Sequence, residues 1–459
     1  MPAPRKGSRK VAPAACRADR EAAGRGCRKG VPRALHGQWK AAGGGRDPIA
    51  ILQASNKGRL ENLIPIRYGR MVKSPFTFMR GSAAVMAHDL AGTPVTGLDA
   101  QLCGDCHLLN FGLFATPERH LVFDLNDFDE TLPGPWEWDV KRLAASVVVA
   151  GRENGFSEAQ CRGAVMTCVG SYRETVRACA RMSPLEVWYM HLDWQDVIDR
   201  ERDPEARKVE ERVAEAARKR VIEHLSPKIV KASRGGMRFV DTPPLLYHAP
   251  DLKIEQRIAA AMARYRLSLP GDRRVLFDRY RVKDFALKVV GIGSVGTRCA
   301  IVLLLSHDDD VLVLQLKEAR KSVLEPYAKR CSYANQGERV VQGQHLMQSS
   351  SDIFLGWVRA EDGRDYYVRQ LRDMKFSAPI EQASPRQLNE YAKLCGWTLA
   401  RAHSKSGDAA AIGGYLGKGD RFDQALAKFA VAYADQTERD HAALVKAIRA
   451  GRVEMIAEQ

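Results

Sequence analysis

Two short polar segments contain the residue types that phosphoryl transfer from ATP requires. The first reads GDCHLLN and contains Asp105 and Asn110, and the second reads NDFD and contains Asp127 and Asp129. A carboxylate at Asp105 can accept the proton of a substrate hydroxyl, whereas Asn110 and Asp127 can hold the magnesium ion that bridges the phosphates. Asp129 offers a second carboxylate to the same metal. The spacing therefore predicts a catalytic base followed by a Mg²⁺ site.

The first segment also allows a different chemistry. From Cys103 to His107 it fits C-x-x-C-H, the signature of covalent haem attachment, and a zinc or redox role for the two thiols is a further alternative. Haem attachment requires export, but the opening residues MPAPRKGSRK run into further charge and not into the apolar segment of a signal peptide. The sequence therefore favours phosphoryl transfer over haem or metal binding at the thiols.

Length and composition limit the class of protein. A chain of 459 residues can form two or three compact units, and no run approaches the roughly 20 apolar residues that cross a bilayer. Ten cysteines are scattered without the spacing of a disulfide framework. We therefore predict a cytoplasmic protein with free thiols and no membrane insertion.

The positive charge is concentrated at the N-terminus. The net charge is +16, and the first 46 residues hold twelve Lys/Arg against Asp19 and Glu21. Because residues 1–50 are rich in Ala, Gly and basic residues, the sequence predicts a disordered tail. A basic arm of this kind can contact nucleic acid or an anionic surface, although a solubilising extension without a dedicated partner is favoured.

A second region has the pattern of an antiparallel sheet that carries a phosphate-binding loop. A predicted strand ends in a G-x-G-x-x-G segment, whose residues are Gly291, Gly293, Ser294 and Gly296. Two further strands are predicted over 298–305 and 311–317, with Lys317 at the end of the last. A dinucleotide-binding loop would be followed by a helix. A strand follows here, which favours a Gly-rich loop over phosphates with a lysine on the next strand but one.

Two further residues are candidates for the same site. Glu338 lies on a predicted helix, twenty-one residues after Lys317, and is the expected partner of that lysine, with Glu325 as a competitor. Arg80 follows SPFTFM, whose aromatic pair is predicted to be buried. It could bind a phosphate or support a nearby carboxylate, and the sequence leaves both roles open.

Residues 105–139 resemble the aminoglycoside phosphotransferase and choline kinase branch of the protein-kinase-like superfamily. That branch carries H-G-D-x-H-x-x-N, an acidic residue on a strand and, about twelve residues later, an Asp that opens a helix. The resemblance implies that Asp105 is the catalytic base, that Asn110 and Asp127 bind the metal, and that Asp139 braces the catalytic loop. Cys103 departs from the pattern, since a His is usual there. The implied cofactors are ATP and Mg²⁺.

The whole chain is also similar to the bacterial family known as domain of unknown function 2252. The segments that carry this similarity are SPFTFMRG, CGDCHLLNFG, FDLNDFDET, WEWDVKRLAAS, GQHLMQ, YYVRQLRDMK and ARAHSKSGD. They are spread over most of the chain. The family implies no substrate.

The order of the motifs predicts a rearranged fold. Ordinary kinases place the Gly-rich loop and lysine before the catalytic Asp, whereas here Asp105 and Asp127 precede Lys317. We therefore expect an α+β, protein-kinase-like two-lobe fold that is circularly permuted. Its expected parts are a tail (1–50), a catalytic part of the large lobe (51–280), a small β-rich nucleotide lobe (281–375) and closing large-lobe helices (376–459).

Three functions are compatible with these residues. The first is an ATP- and Mg²⁺-dependent phosphotransferase acting on a hydroxyl of an unknown small molecule or protein. The second is transfer of AMP from the same site. The third is a nucleotide-binding pseudokinase that serves as a scaffold, although a scaffold has no need of Asp105, Asn110, Asp127 and Lys317 together.

Overall fold

The computed structural model describes residues 15–40, 46–220, 229–233, 236–248, 252–371 and 374–457. The chain is mixed α+β, as predicted. In chain order, the helices of the described residues are α1 (Arg17–Gly26), α2 (Pro48–Ser55), α3 (Ile64–Met71), α4 (Pro75–Gly81), α5 (Ala83–Ala91), α6 (Trp136–Glu153), α7 (Glu158–Cys179), α8 (Pro184–Tyr189), α9 (Trp194–Arg200), α10 (Pro204–Arg218), α11 (Leu252–Tyr265), α12 (Gly271–Phe277), α13 (Gln336–Met347), α14 (Pro385–Ser406), α15 (Ala409–Leu416) and α16 (Arg421–Arg449). The strands are β1 (Asp99–Leu102), β2 (Phe111–Ala115), β3 (Leu121–Leu125), β4 (Leu132–Pro135), β5 (Val230–Ser233), β6 (Gly236–Phe239), β7 (Leu246–Tyr247), β8 (Arg281–Lys288), β9 (Cys299–Leu305), β10 (Val311–Glu318), β11 (Gly356–Arg359) and β12 (Asp365–Gln370).

The main sheet is antiparallel and contains β7 to β12. Its order is β11-β12-β10-β9-β8-β7. The Gly-rich segment joins β8 to β9 and Lys317 lies on β10, so the three strands predicted for this region are confirmed. Lys317 lies opposite Cys299 of β9 and Tyr367 of β12. Because β10 is hydrogen-bonded on both sides, the lysine is fixed in a central position of the sheet.

The two faces of β10 differ, as its alternating sequence predicts. Leu312, Leu314 and Leu316 pack in one apolar cluster with residues of α11. Val313 belongs to a separate cluster on the opposite face. Because successive side chains of a strand alternate between faces, Lys317 lies on the side away from the leucines. The leucine face anchors the sheet and leaves the lysine face for the site.

The larger core is helical and supports the two polar segments. Trp136 of α6 stacks on Tyr172 of α7, with ring centroids 5.7 Å apart, and Tyr172 in turn contacts His403 of α14 edge-on. The two-stranded sheets β1–β4 and β2–β3 pack into the same apolar cluster. The loops that follow β1 and β3 therefore start from a rigid base.

The prediction of a disordered tail is wrong for residues 15–40. Helix α1 packs on α15, and Gly24 approaches so closely that a Cβ there would lie 1.8 Å from the Ala411 carbonyl oxygen. Arg28 donates to the carbonyl of Tyr415 at 2.8 Å, and Arg33 donates to that of Leu416 at 2.5 Å. The last carbonyls of a helix need partners, and these arginines supply them. Residues 1–14 and 41–45 lie outside the described residues.

Two glycines of this N-terminal helix allow the docking to be tested. In a solvated helix, Gly→Ala stabilises by up to about 1 kcal/mol. A Cβ at Gly26 would meet nothing within 4 Å, whereas one at Gly24 would collide with Ala411 backbone. We expect the thermal midpoint of the full chain to be unchanged or slightly raised in Gly26→Ala and lowered in Gly24→Ala. Equal midpoints for the two variants would contradict the docked position of α1.

Two general predictions concern membranes and thiols. None of the helices in the described ranges is long and apolar enough to cross a membrane. All ten cysteines carry free thiols, and seven of them are buried. The buried thiols act as small apolar side chains of the core.

Candidate active site

Most of the predicted residues meet at one cavity between the sheet and the helical part of the chain. Its volume is about 190 Å³. The cavity is lined by seven of the ten predicted site residues, which are Asp105, Asn110, Asp127, Asp129, Gly291, Gly293 and Ser294. Lys317 joins the same group through an ion pair with Asp129. Segments that are far apart in the sequence are thus brought together at one place.

The loop that carries Asp105 is braced from below by Asp139. The backbone N–H groups of Cys103 and Gly104 donate to the Asp139 carboxylate at 2.8 and 3.1 Å. Gly104 has φ +83°, and a Cβ there would lie 2.3 Å from the Glu130 carbonyl oxygen, so the turn requires glycine. His403 Nε2 lies 3.3 Å from Asp139 Oδ2. Although Cys103 replaces the usual histidine, a histidine from α14 reaches the bracing carboxylate.

Asp105 lies in an environment suited to a proton acceptor. Arg142 of α6 forms an ion pair with it, with Nε 2.7 Å from Oδ1. Burial raises the pKa of Asp105 above its usual value, and the Arg142 charge only partly opposes that shift. His107 Nε2 lies 3.9 Å from Asp105 Oδ2, and burial holds the pKa of this imidazole well below its usual range. His107 is therefore a neutral neighbour.

Asn110 closes the loop that carries Asp105. Its side-chain N–H donates to the backbone carbonyl of Asp105. Its backbone carbonyl accepts from the backbone N–H of Asn126 at 2.8 Å. Asp127 follows directly and lines the same cavity. Amide and carboxylate oxygens are ligands that Mg²⁺ accepts. The pair fits the predicted metal role by donor chemistry and position.

Asp129 is the residue that links the two polar segments to the sheet. Lys317 Nζ forms an ion pair with Oδ2, Tyr367 OH donates to Oδ1 at 2.8 Å, and Ser294 Oγ donates to Oδ2 at 3.1 Å. Burial alone would raise the pKa of Asp129, but the Lys317 charge and these hydrogen bonds lower it overall. Asp129 is thus an ionised carboxylate held by β10, by β12 and by the loop between β8 and β9.

The expected pairing of Lys317 with Glu338 is not formed, and this part of the prediction is corrected. Within the described residues, no ion pair joins either Glu338 or Glu325 to Lys317, whose partner is Asp129. The neighbouring Arg339 is the residue of α13 that faces the site, donating to the carbonyls of Asp129 and Arg320, each at 2.8 Å. One residue along a helix turns the side chain by about 100°, so a shift of one position changes which group reaches the site.

The Gly-rich loop is held from two sides. Leu60 N–H donates to the Gly296 carbonyl at 2.8 Å, and Arg59 Nη1 donates to the Val295 carbonyl at 2.6 Å. The Val295 side chain is buried in a small apolar cluster with Leu63. The tip from Gly291 to Ser294 faces the cavity, whereas Gly296 contacts the segment between α2 and α3.

Sequence reasoning missed several residues of the site. Arg142, Tyr367 and Arg339 hold Asp105 and Asp129, and nothing in their local spacing marks them as site residues. Arg80 was singled out, and it lines the cavity without a carboxylate partner in the described part of the chain.

The alternative chemistry at the thiols is poorly supported. Cys103, Cys106 and Asp139 each offer a ligand atom within 4.8 Å of the others. However, Asp139 already accepts two backbone hydrogen bonds, and burial raises the pKa of Cys106 to about 12. Covalent haem attachment needs access to both thiols, whereas Cys103 and Cys106 are fully buried beneath the loop.

Neither a curated protein nor a solved structure matches the chain. A family model described as "Uncharacterized protein conserved in bacteria (DUF2252)" matches residues 59–447, which is most of the chain and includes the whole candidate site. The chain therefore belongs to the bacterial family DUF2252.

Proposed function

We propose that this protein is an ATP- and Mg²⁺-dependent phosphotransferase with a circularly permuted, two-lobe kinase-like fold. The observation that carries the proposal is the ion pair between Lys317 and Asp129, two residues from Asp127, at a cavity that Asp105 also lines. A strand lysine, a Gly-rich loop, two metal-binding side chains and a carboxylate base are the parts of a kinase site. Here they converge from segments up to 212 residues apart in sequence.

A contact at the end of α14 supports the permutation. The Gln101 N–H of β1 donates to Ser406 Oγ at 2.8 Å, so the end of this helix lies beside the strand that leads to Asp105. The resemblance implies that such a helix normally runs directly into the catalytic loop. Joining the two segments would restore the ordinary order, which is what a permuted chain predicts.

Each residue has a role in the proposed reaction. Asp105 accepts the proton of the acceptor hydroxyl as its oxygen attacks the γ-phosphorus and the bond to the β-phosphate oxygen breaks. Asn110 and Asp127, with Asp129, would hold Mg²⁺, which when bound neutralises phosphate charge. Lys317 and the backbone N–H groups of the Gly-rich tip bind phosphate oxygens. Arg142 positions Asp105.

Calorimetric titration of ATP, with and without Mg²⁺, tests the nucleotide site. We expect Mg²⁺-dependent binding to the wild-type chain, and loss of a metal ligand in Asp127→Ala should weaken it by about tenfold or more. Asp272→Ala, at a side chain 67% exposed, is the matched control and should bind as wild type. Equal Mg²⁺-dependent binding by both variants would remove Asp127 from the site. No binding to the folded wild-type protein would overturn the proposal.

Product analysis separates the proposed reaction from its alternatives. The protein is incubated with Mg·ATP and a small-molecule extract, and nucleotide products are identified by mass. ADP together with a phosphorylated acceptor supports phosphate transfer, and AMP joined to an acceptor with release of pyrophosphate supports nucleotidyl transfer. Binding without any product supports a non-catalytic role.

The rate of the proposed reaction should depend on pH through Asp105. The ionised carboxylate is the proton acceptor, so the rate falls as pH falls through a pKa that burial has raised. Arg142 opposes that shift, so Arg142→Gln should move the acidic midpoint of the kcat/KM profile to higher pH. Arg200→Gln, at a side chain 81% exposed, should leave it in place. An unchanged midpoint in Arg142→Gln would show that Asp105 does not govern the profile.

A further inference from the structure

Four arginines, here called the arginine cluster, line the cavity. They are Arg59, Arg67, Arg80 and Arg320. They come from three separate segments: the turn before α3 and α3 itself, the end of α4, and the residues that follow β10. In the described ranges, none of the four forms an ion pair with a carboxylate.

The hydrogen bonds of three of these arginines go to uncharged oxygens. Arg59 donates to the Val295 carbonyl at 2.6 Å, and Arg67 donates to the Gly81 carbonyl at 2.7 Å. Arg320 donates to the Ser55 carbonyl at 3.2 Å. Burial and the charges of its two neighbours, Arg67 and Arg320, hold the pKa of Arg59 well below its usual range. Arg59, Arg67 and Arg320 are therefore crowded positive charges. Asp129 and Glu130 act on Arg59, but within the described residues neither forms an ion pair with it.

Arg80 is the member most available to a ligand. No hydrogen-bond acceptor for its guanidinium is found among the described residues, and its Nε is buried without a partner. Asp105 and Glu381 are the acidic groups that act on it, and neither is within ion-pair distance. A buried charge without a partner is costly unless a ligand supplies one.

The acidic groups of the cavity do not balance the cluster. Asp105 is paired with Arg142, Asp129 with Lys317, and Glu318 with Arg298. Glu130 accepts the Val323 N–H at 2.7 Å, and burial raises its pKa. Asp127 is a proposed metal ligand. Within the described ranges no carboxylate of the cavity forms an ion pair with the four arginines, which leaves that place to the anionic group of a bound molecule.

We propose that the acceptor is itself an anion, a small hydroxyl-bearing molecule whose phosphate or carboxylate group is bound by the arginine cluster. Guanidinium groups bind these oxyanions in paired hydrogen bonds. The inference rests on the proposed function and deepens it. Aminoglycosides and choline, the substrates of the kinases that the motifs resemble, are cations. The acceptor proposed here has the opposite charge. Phosphate moves from ATP to the acceptor hydroxyl, ADP leaves, and the hydroxyl proton goes to Asp105.

Calorimetric titration of inorganic phosphate into the full chain tests this inference. The protein is first saturated with Mg²⁺ and the non-hydrolysable ATP analogue AMP-PNP, so that nucleotide phosphates occupy their own site. We expect phosphate to bind to this complex and choline not to bind. Arg80→Gln should weaken phosphate binding by about tenfold or more, since a charge-assisted contact is lost. Arg80→Lys should retain part of the affinity, and Arg200→Gln should retain all of it.

Each outcome decides between the two proposals. Phosphate binding that disappears once Mg·AMP-PNP is bound would mean that the cluster serves the nucleotide, which overturns the inference and leaves the kinase proposal standing. Phosphate binding that depends on Arg80 in a chain that does not bind Mg·AMP-PNP would support the anion site and overturn the kinase proposal. Choline binding, or phosphate binding unchanged in Arg80→Gln, would contradict the inference. Thermal unfolding checks that this variant is folded, and Arg320→Gln replaces it if it is not.

Discussion

Replacement of Asp105 by Asn is expected to reduce ATP-dependent transfer by about 10²–10⁴-fold, the usual contribution of a well-placed general base. Asn has the same size and can still accept the hydrogen bond from Arg142, but it cannot take up the hydroxyl proton. Because Asp105 is not a proposed metal ligand, Mg·ATP should bind to the variant as it binds to the wild-type chain. Calorimetry gives the affinity, and product formation gives the rate.

The control for this experiment is an aspartate outside the cavity. Asp272→Asn changes an exposed carboxylate to the same amide and should leave the rate unchanged. Transfer by Asp105→Asn at close to the wild-type rate would show that another group accepts the proton. Loss of Mg·ATP binding together with the rate would instead place Asp105 at the nucleotide.

Replacement of Lys317 by Met is expected to lower both the stability of the chain and its affinity for Mg·ATP. The lysine side chain is 4% exposed and that of Asp129 is 26% exposed. Removing Lys317 leaves the partly buried Asp129 carboxylate with hydrogen bonds from Tyr367 and Ser294 alone, and we expect a loss of about 1–3 kcal/mol in the free energy of unfolding. Denaturant titration measures this loss, and calorimetry measures nucleotide binding.

A second substitution separates stability from function. In Lys317→Met/Asp129→Asn the unpaired carboxylate is gone, so part of the stability should return, whereas nucleotide binding should remain weak. The control is Lys329→Met, which breaks an ion pair with Asp99 at a lysine 73% exposed and should cost less than about 1 kcal/mol. A double variant as unstable as Lys317→Met would mean that the ion pair is not what Lys317 contributes.

The strands of the main sheet could be predicted because their signals are local, and local spacing also selected the candidate site carboxylates. Alternation along β10 separates Leu314 from Lys317 within a few residues, and glycines between two strands indicate a turn. Asp105, Asn110 and Asp127 lie within a short stretch, so residue type and spacing alone point to base and metal ligands.

The partners of these residues depend on contacts that local spacing does not contain. Glu338 and Arg339 are adjacent in sequence, but helical rotation and the packing of α13 decide that the arginine faces the site. Likewise, Asp139 is braced by His403, which lies 264 residues away. Distances along the chain carry no information about such pairs.

The sequence by itself determined which groups the chain offers for the proposed phosphoryl transfer and which of them lie on a strand or in a loop. Only the tertiary structure decided which charged side chains form ion pairs with one another. The basic N-terminal segment reads as a disordered tail by composition, yet its arginines donate to the last carbonyls of α15. In the arginine cluster, Arg80 and Arg320 come from distant segments and line one cavity, and within the described ranges neither forms an ion pair with a carboxylate. Composition counts charges, whereas burial and long-range packing determine which of them have partners and which remain for a ligand.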